Sequence, residues 1–299
     1  MRDKRLTEQR NPRSNRIDCL SSIEIVDLIN SEDRTVAEAV GRVRESIAKA
    51  VDLAVEAFRA GGRLIYVGAG TSGRLGVLDA AEIPPTFGTH PRMVQGVMAG
   101  GNIALIQAQE GAEDSPERGA SALIALEVGA TDFVMGIATS GTTPFVHGAL
   151  HQAGERGAKT GLLICTEPTE DLLQAHDVLI APLVGPEVIT GSTRMKAGTA
   201  TKMVLNSITT GAMVLMGKVY GNLMVDLQVT CAKLQDRAER ILMETLNLDQ
   251  DRAAELLLEA QGSVKIALVM ESLGMDREEA GRALEGAEGS VTRVVGDLL

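Results

Sequence analysis

Short apolar runs of strand length alternate along this chain with longer segments whose apolar residues recur at helical spacing. Strands are predicted near 63–67, 92–98, 132–138, 161–165 and 177–183, with helical stretches between most of them. Before the first strand, Thr35-Val36-Ala37-Glu38 has capping-box spacing. Val36, Val40, Val43, Ile47, Val51, Ala54 and Phe58 then mark one helix, which Gly61-Gly62 closes. Such alternation predicts an α/β fold built on a doubly wound parallel sheet, Rossmann-like and flanked by helices. Residues 1–20 carry no comparable pattern and read as loosely ordered.

Two regions depart from that alternation. The stretch 198–217 is helical in period and apolar around much of its circumference, through Met203, Leu205, Ile208, Met213, Leu215 and Met216. Such breadth predicts burial on more than one side, in the core or at a subunit interface. Toward the C-terminus the chain repeats itself. Leu248-Asp249 followed by DRAAELLLEAQGSVKIAL answers Met275-Asp276 followed by REEAGRALEGAEGSVTRVV. Each copy reads as helix, Gly-Ser turn, helix, with too few apolar residues to stand alone. The expected organisation is a main domain over 1–245 and a small helical subdomain over 246–299, the latter serving packing or oligomer formation.

The chemistry is concentrated where strands end. Leu64-Ile65-Tyr66-Val67 runs into Gly68-Ala69-Gly70-Thr71-Ser72-Gly73, and a helical pattern resumes through Leu75, Leu78 and Ala81. A Gly-rich, hydroxyl-rich turn at a helix start is an anion cradle, because backbone N–H groups and the helix dipole converge there. Glu82 follows just before Pro84-Pro85, which are expected to stop the helix. Gly68, Gly70 and Gly73 also satisfy GxGxxG, but the ribose-binding acid about 20 residues further on is missing. No Gly-Lys-Ser/Thr follows either, so this is not a P-loop. A second apolar run, Asp132 to Ala138, enters Thr139-Ser140-Gly141-Thr142-Thr143-Pro144, with proline where a helix begins. If the two strands are parallel neighbours, Thr71, Ser72, Ser140 and Thr143 can face one phosphorylated ligand at the carboxyl edge of the sheet.

Composition narrows the ligand class. There is no Trp, with 2 Tyr and 4 Phe, so stacking on bases or sugar faces is not the expected binding mode. A net charge of −11 argues against nucleic acid or an anionic membrane as partner. An anionic small molecule then needs locally placed cations, for which Arg74, Arg194, Lys196 and Lys202 are candidates. Cys19, Cys165 and Cys231 form no CxxC pair and read as free thiols in a reducing cytosol. His147 and His151 are an i,i+4 pair without the carboxylate of a zinc motif, so a packing or surface role is expected and no metal. Neither a signal peptide nor a membrane-spanning run is read in the sequence.

A second acidic cluster, Glu110-Gly111-Ala112-Glu113-Asp114-Ser115, follows the short helical stretch Ile103-Ala104-Leu105-Ile106. Two carboxylates reaching one ligand can divide acid and base work if their environments separate their pKa values. Taken together, GAGTSGRLGVLDAAEIPPT at 68–86, AGG at 99–101, EGAEDS at 110–115, ITGSTRMKAGTATK at 189–202 and GKVYGNLMVD at 217–226 resemble the N-acetylmuramic acid 6-phosphate etherase family. That family belongs to the sugar isomerase (SIS) superfamily, and the resemblance covers nearly the whole chain. It implies a homodimer that removes D-lactate from a phosphorylated amino sugar, chemistry that needs no metal or redox cofactor, while the thiols and the lack of a signal peptide predict a cytoplasmic protein. By the same resemblance, Glu82 and Glu113 are the catalytic acids, and Ser72, Ser140 and Thr143 supply phosphate-binding hydroxyls. This chain has Ala81 where members often have serine, Ile83 where they often have cysteine, and Thr142 where some carry arginine.

The residue types suit an ether elimination. The C2 proton becomes acidic only when C1 is an aldehyde, so the open-chain sugar is the reactive form. One carboxylate takes that proton and another protonates the departing lactyl oxygen. The resemblance implies Glu82 as acid and Glu113 as base, while the sequence leaves the two roles interchangeable. An aldose–ketose isomerase, a sugar-phosphate-sensing regulator and, more remotely, a nicotinamide enzyme remain as alternatives at this level.

Overall fold

The computed structural model describes residues 5–227 and 232–298. Two helices open the chain, α1 (Ser22–Arg42) and α2 (Arg44–Arg59). There follow β1 (Leu64–Gly68), α3 (Gly70–Phe87), β2 (Val94–Met98), α4 (Ile103–Ile106), α5 (Pro116–Ala125), β3 (Phe133–Ile137), α6 (Pro144–Glu155), β4 (Lys159–Leu163), α7 (Glu170–Ala175) and β5 (Val178–Ile180). The long α8 (Lys196–Leu215) leads to a two-stranded ribbon, β6 (Val219–Tyr220) and β7 (Leu223–Met224). Five helices complete the chain: α9 (Ala232–Leu246), α10 (Gln250–Glu259), α11 (Val264–Leu273), α12 (Arg277–Gly286) and α13 (Val291–Val295).

Five strands form one parallel sheet in the order β2-β1-β3-β4-β5. Its central strands are buried from end to end, as the uninterrupted apolar runs require of a sheet covered on both faces. Ile65, Val67, Val134 and Leu162 share a core with Phe145, Val146, Ala149 and Leu150 of α6 and Leu123 of α5. On the opposite face α3 lies against Tyr66 and Ile137: a Cβ on Gly76 would stand 2.9 Å from the Tyr66 Cβ. The sheet is doubly wound, as the alternating pattern predicts.

Four local expectations are corrected. The single helix expected through Val36 and Phe58 is two, α1 and α2, which part at Val43. Thr35 does not cap a helix. It lies inside α1 and bonds back to the Glu32 carbonyl at 2.8 Å, while the capping box is Ser21 with Glu24, whose carboxylate accepts from the Ser21 N–H at 2.7 Å. Both sites offer a hydroxyl three residues ahead of a glutamate, and the hydrophobic period alone could not rank them. Pro84-Pro85 do not end α3, which runs on to Phe87. Their missing N–H groups leave the Ala80 and Ala81 carbonyls without in-helix donors, yet the last turn still closes through Gly88 N–H on the Pro84 carbonyl at 2.9 Å. The segment from Arg5 to Leu20 is not loose either. It folds into short 3-10 turns over Leu6–Glu8, Pro12–Ser14 and Ile17–Cys19, and buries Thr7, Asn11 and Ser14.

By packing, the chain separates into two compact units. One comprises residues up to Ala81 with Arg92–Thr209, and the other Glu82–Pro91 with the chain from Thr210 on. The second has its own core of Tyr220, Leu242, Leu256, Val264, Leu268 and Val291. It begins before residue 246, because α9 brings Ala238, Ile241 and Leu242 to the same core as the repeat. The repeat extends to caps and turn, although its second helix is ten residues long in the first copy and five in the second. Asp249 and Asp276 cap the first helix of each copy, Ser263 and Ser290 the second. Gln261 and Glu288, at equivalent positions, share φ values of 53° and 54°. Among the described residues no helix is long and apolar enough to cross a membrane.

Candidate functional site

The strand order places the two hydroxyl-rich turns side by side. β1 and β3 are parallel neighbours in register, so Gly68 and Ile137 end level with one another. This is the point where the winding of the sheet reverses, the position at which open α/β sheets leave a crevice at their carboxyl edge. The first turn is tight. A Cβ on Gly68 would stand 2.7 Å from the Gly73 nitrogen, and one on Gly73 2.7 Å from the Gly68 oxygen, so neither position admits a side chain without displacement. Thr71 and Ser72 therefore lie in the first turn of α3, with Ser72 buried. In the second turn Gly141, at φ 76°, reverses the chain ahead of α6, whose first residue is Pro144. His147 bonds back from α6 to the Gly141 carbonyl at 2.9 Å, which is the packing role expected of it. His151 is exposed.

These turns line one cavity of about 460 Å³. Thr71, Ser72, Thr139, Ser140, Thr142 and Thr143 face it, together with Glu113 and Asp114. Thus five of the residues singled out from sequence, Thr71, Ser72, Ser140, Thr143 and Glu113, meet in one space. Glu113 sits in a 3-10 turn, Ala112–Asp114, that follows β2 and α4. A smaller cavity of about 230 Å³ shares Ala69, Gly70 and Glu113 with the first and is also walled by Arg74, Gln109 and Glu110. Glu82 is an exposed residue of α3, belongs to the second compact unit, and lines neither cavity.

The cations are not where charge balance alone suggested. Arg74 donates to the Leu105 carbonyl at 3.0 Å and the Ala104 carbonyl at 2.7 Å, closing α4. Lys196 is buried and pairs with Glu32 at 2.6 Å. Lys202 donates to Asn206 at 2.8 Å, and Arg194 is exposed. None of the four lines the larger cavity. Arg5 does, and its guanidinium donates to Thr142 Oγ1 at 3.0 Å. Sequence reading missed Arg5 because it lies far from both turns in the chain. The one available signal was the charge of a segment set aside as loosely ordered.

Two buried carboxylates, Asp79 and Glu187, have raised pKa values. Burial raises the Asp79 pKa, against hydrogen bonds from Asn206 at 2.6 Å and Thr209 at 3.2 Å to its Oδ1. Its Oδ2 is buried without a hydrogen-bond partner, and so is the hydroxyl of Tyr66. Burial likewise raises the Tyr66 phenol well above its ordinary value, and the charge of Asp79 adds to the effect. Glu187 crowns the start of α8, accepting from the N–H groups of Lys196 at 3.0 Å and Ala197 at 2.9 Å. Burial still raises its pKa. Of the thiols, Cys19 is exposed, Cys165 is buried with its pKa pushed up to about 12, and Cys231 lies outside the described residues.

The family described as the glucokinase regulatory protein N-terminal SIS domain matches residues 46–154. An N-acetylmuramic acid 6-phosphate etherase from Synechococcus elongatus is 54% identical over 264 residues, 88% of this chain and 86% of that protein. One from Salinibacter ruber is 56% identical over 263 residues, 88% of this chain and 85% of that protein. Among solved structures, a phosphoheptose isomerase from Neisseria gonorrhoeae superposes with a TM-score of 0.50 at 18% identity, covering 64% of this chain and 99% of that one. At that identity the likeness speaks for the fold alone.

Proposed function

This chain belongs to the N-acetylmuramic acid 6-phosphate etherase family, and from that premise we propose how its residues divide the work. The enzyme is a carbon–oxygen lyase that cleaves the D-lactyl ether of N-acetylmuramic acid 6-phosphate, giving N-acetylglucosamine 6-phosphate and D-lactate. The supporting observation is the single cavity in which Thr71 and Ser72 of one turn and Ser140 and Thr143 of the other meet Glu113. Thr71, Ser72, Ser140 and Thr143 hold the phosphate, helped by the N-termini of α3 and α6. Glu113, in the same cavity, is the base that removes the C2 proton from the open-chain aldehyde. Glu82, which lines neither cavity, is assigned by the family resemblance alone as the acid that protonates the lactyl oxygen as the C3–O bond breaks. Lactate leaves, an α,β-unsaturated aldehyde remains, and water adds at C3. Atoms balance without a redox partner.

The working form in this reading is a cytoplasmic homodimer that uses the end of α8 in its interface, where Val214 and Leu215 are 46% and 52% exposed. The deciding experiment is release of D-lactate from N-acetylmuramic acid 6-phosphate by the wild type and by Glu113→Gln, with C2 exchange followed in deuterated water. Glu113→Gln should lose both activities, with kcat down by roughly 10²–10⁴-fold. Exchange that survives in Glu113→Gln while lactate release is lost would reverse the two roles. Near-wild-type lactate release from both Glu82→Gln and Glu113→Gln would overturn the paired-carboxylate mechanism.

A further inference from the structure

The larger cavity is lined by three carboxylates, Glu8, Glu113 and Asp114, and by one cationic side chain, that of Arg5. A phosphorylated, carboxylate-bearing substrate entering such a space meets like charge unless a cation is held there. We propose that Arg5 is a substrate-binding residue, the guanidinium that receives the anionic substrate, and that residues 5–14 are a strap built to deliver it. The proposal rests on the reading of this cavity as the sugar-phosphate site.

Two independent features carry it. The first is position. Arg5 donates to Thr142 Oγ1 at 3.0 Å, and Thr142 in turn shares a hydrogen bond of 3.1 Å with Ser140, so the guanidinium stands over the second turn. Its planar fork matches two phosphate or carboxylate oxygens at once, which an ammonium cannot do. The second is anchorage. The Gly191 N–H donates to the Thr7 carbonyl at 3.1 Å, tying the strap to a loop that lines the same cavity. Asn11, itself buried, donates to Glu32 at 2.8 Å and to the Pro186 carbonyl at 3.2 Å. Arg13 adds a second donor to Glu32 at 2.8 Å, and Lys196 closes the cluster. A surface tail would not be fastened through a buried ion pair. The cluster fixes the strap at its far end and leaves Arg5 at the cavity.

The test uses the full chain and inorganic phosphate as a competitive probe. Arg5→Ala should raise the KM for the sugar phosphate and the Ki for phosphate together, each by about ten-fold or more, as expected for a lost charge-assisted contact. Its kcat should stay within about three-fold and its melting temperature near that of the wild type, and Arg5→Lys should recover part of the loss. Ser140→Ala, measured alongside, reports on the cavity itself. An unchanged Ki in Arg5→Ala with a raised Ki in Ser140→Ala would overturn the role of Arg5 and leave the phosphate site standing. An unchanged Ki in both would overturn the phosphate site, and the strap's purpose with it. A fall in kcat at constant KM would also overturn the proposal, since a binding cation acts on ground and transition states alike.

Discussion

Ser72 and Ser140 reach the same cavity from different surroundings. Ser72 is buried in the first turn of α3, whereas Ser140 is half-buried and already shares a hydrogen bond with Thr142. Replacing either with alanine should weaken sugar-phosphate binding by about 1–3 kcal/mol, read chiefly as a higher KM. An unchanged KM in both variants would mean the phosphate sits elsewhere. Asp79 offers a separate test. Burial raises its folded pKa, so the folded state holds a proton that the unfolded chain releases first. Stability is therefore lost as the pH climbs from the usual carboxylate range, about 4, through that raised value. Asp79→Asn keeps an oxygen for Asn206 and Thr209 and carries no charge. It should melt higher than the wild type near neutral pH, with the difference shrinking toward pH 4. An equal gap at both ends would assign the effect to packing instead. At this scale the sequence revealed the hydroxyls, because they sit beside glycines in turns of recognisable form. It concealed Asp79 and Arg5, whose significance depends on neighbours more than a hundred residues away.

Among the elements, the strands were the most legible. Each is short, apolar and bounded by turn residues, and all five fall within a few positions of expectation. Helix ends were less so. Thr35 and Ser21 present the same local chemistry, and Pro84-Pro85 are tolerated because they occupy the final turns of α3. At the start of α8 charge alone was a poor guide. Lys196 looked like a cation for the ligand but is buried against Glu32 on α1. Burial pushes the Glu32 carboxyl up, yet the hydrogen bond and charge of Lys196, with Asn11 and Arg13, hold it below the usual carboxylate range. Lys196→Met leaves the buried Glu32 only Asn11 and the largely exposed Arg13, and should cost about 3 kcal/mol in urea unfolding. A loss under about 1 kcal/mol would show that the pair is solvated. The sign of the shift also sets an acid limit. The contribution of Glu32 is complete above the ordinary carboxylate value of about 4 and disappears as the pH falls through its lower folded value.

For the whole molecule, the doubly wound sheet and the helical repeat were both readable in the sequence, since each follows from a period. Strand order was not. The sequence could only make the shared cavity conditional on β1 and β3 being neighbours, and that pairing is a property of the fold. Association belongs to this scale too. With Val214 and Leu215 exposed at the end of α8, light scattering at micromolar concentration should give twice the chain mass, and Leu215→Glu should shift it toward the monomer. A stable monomer in the wild type would remove the dimer from the mechanism.

The strap has a consequence for how the molecule comes into being. Asn11 docks on Pro186, 175 residues further along the chain, and Thr7 on Gly191. At about 5–20 residues per second, a ribosome needs roughly 9–35 s to make the second half of that contact after the first has emerged. Throughout that interval the nascent arm has only Glu32 of its partners to hold, and the cavity has no arginine. Residues 5–14 are among the last to find their places, so the newborn enzyme should acquire its fold before its affinity.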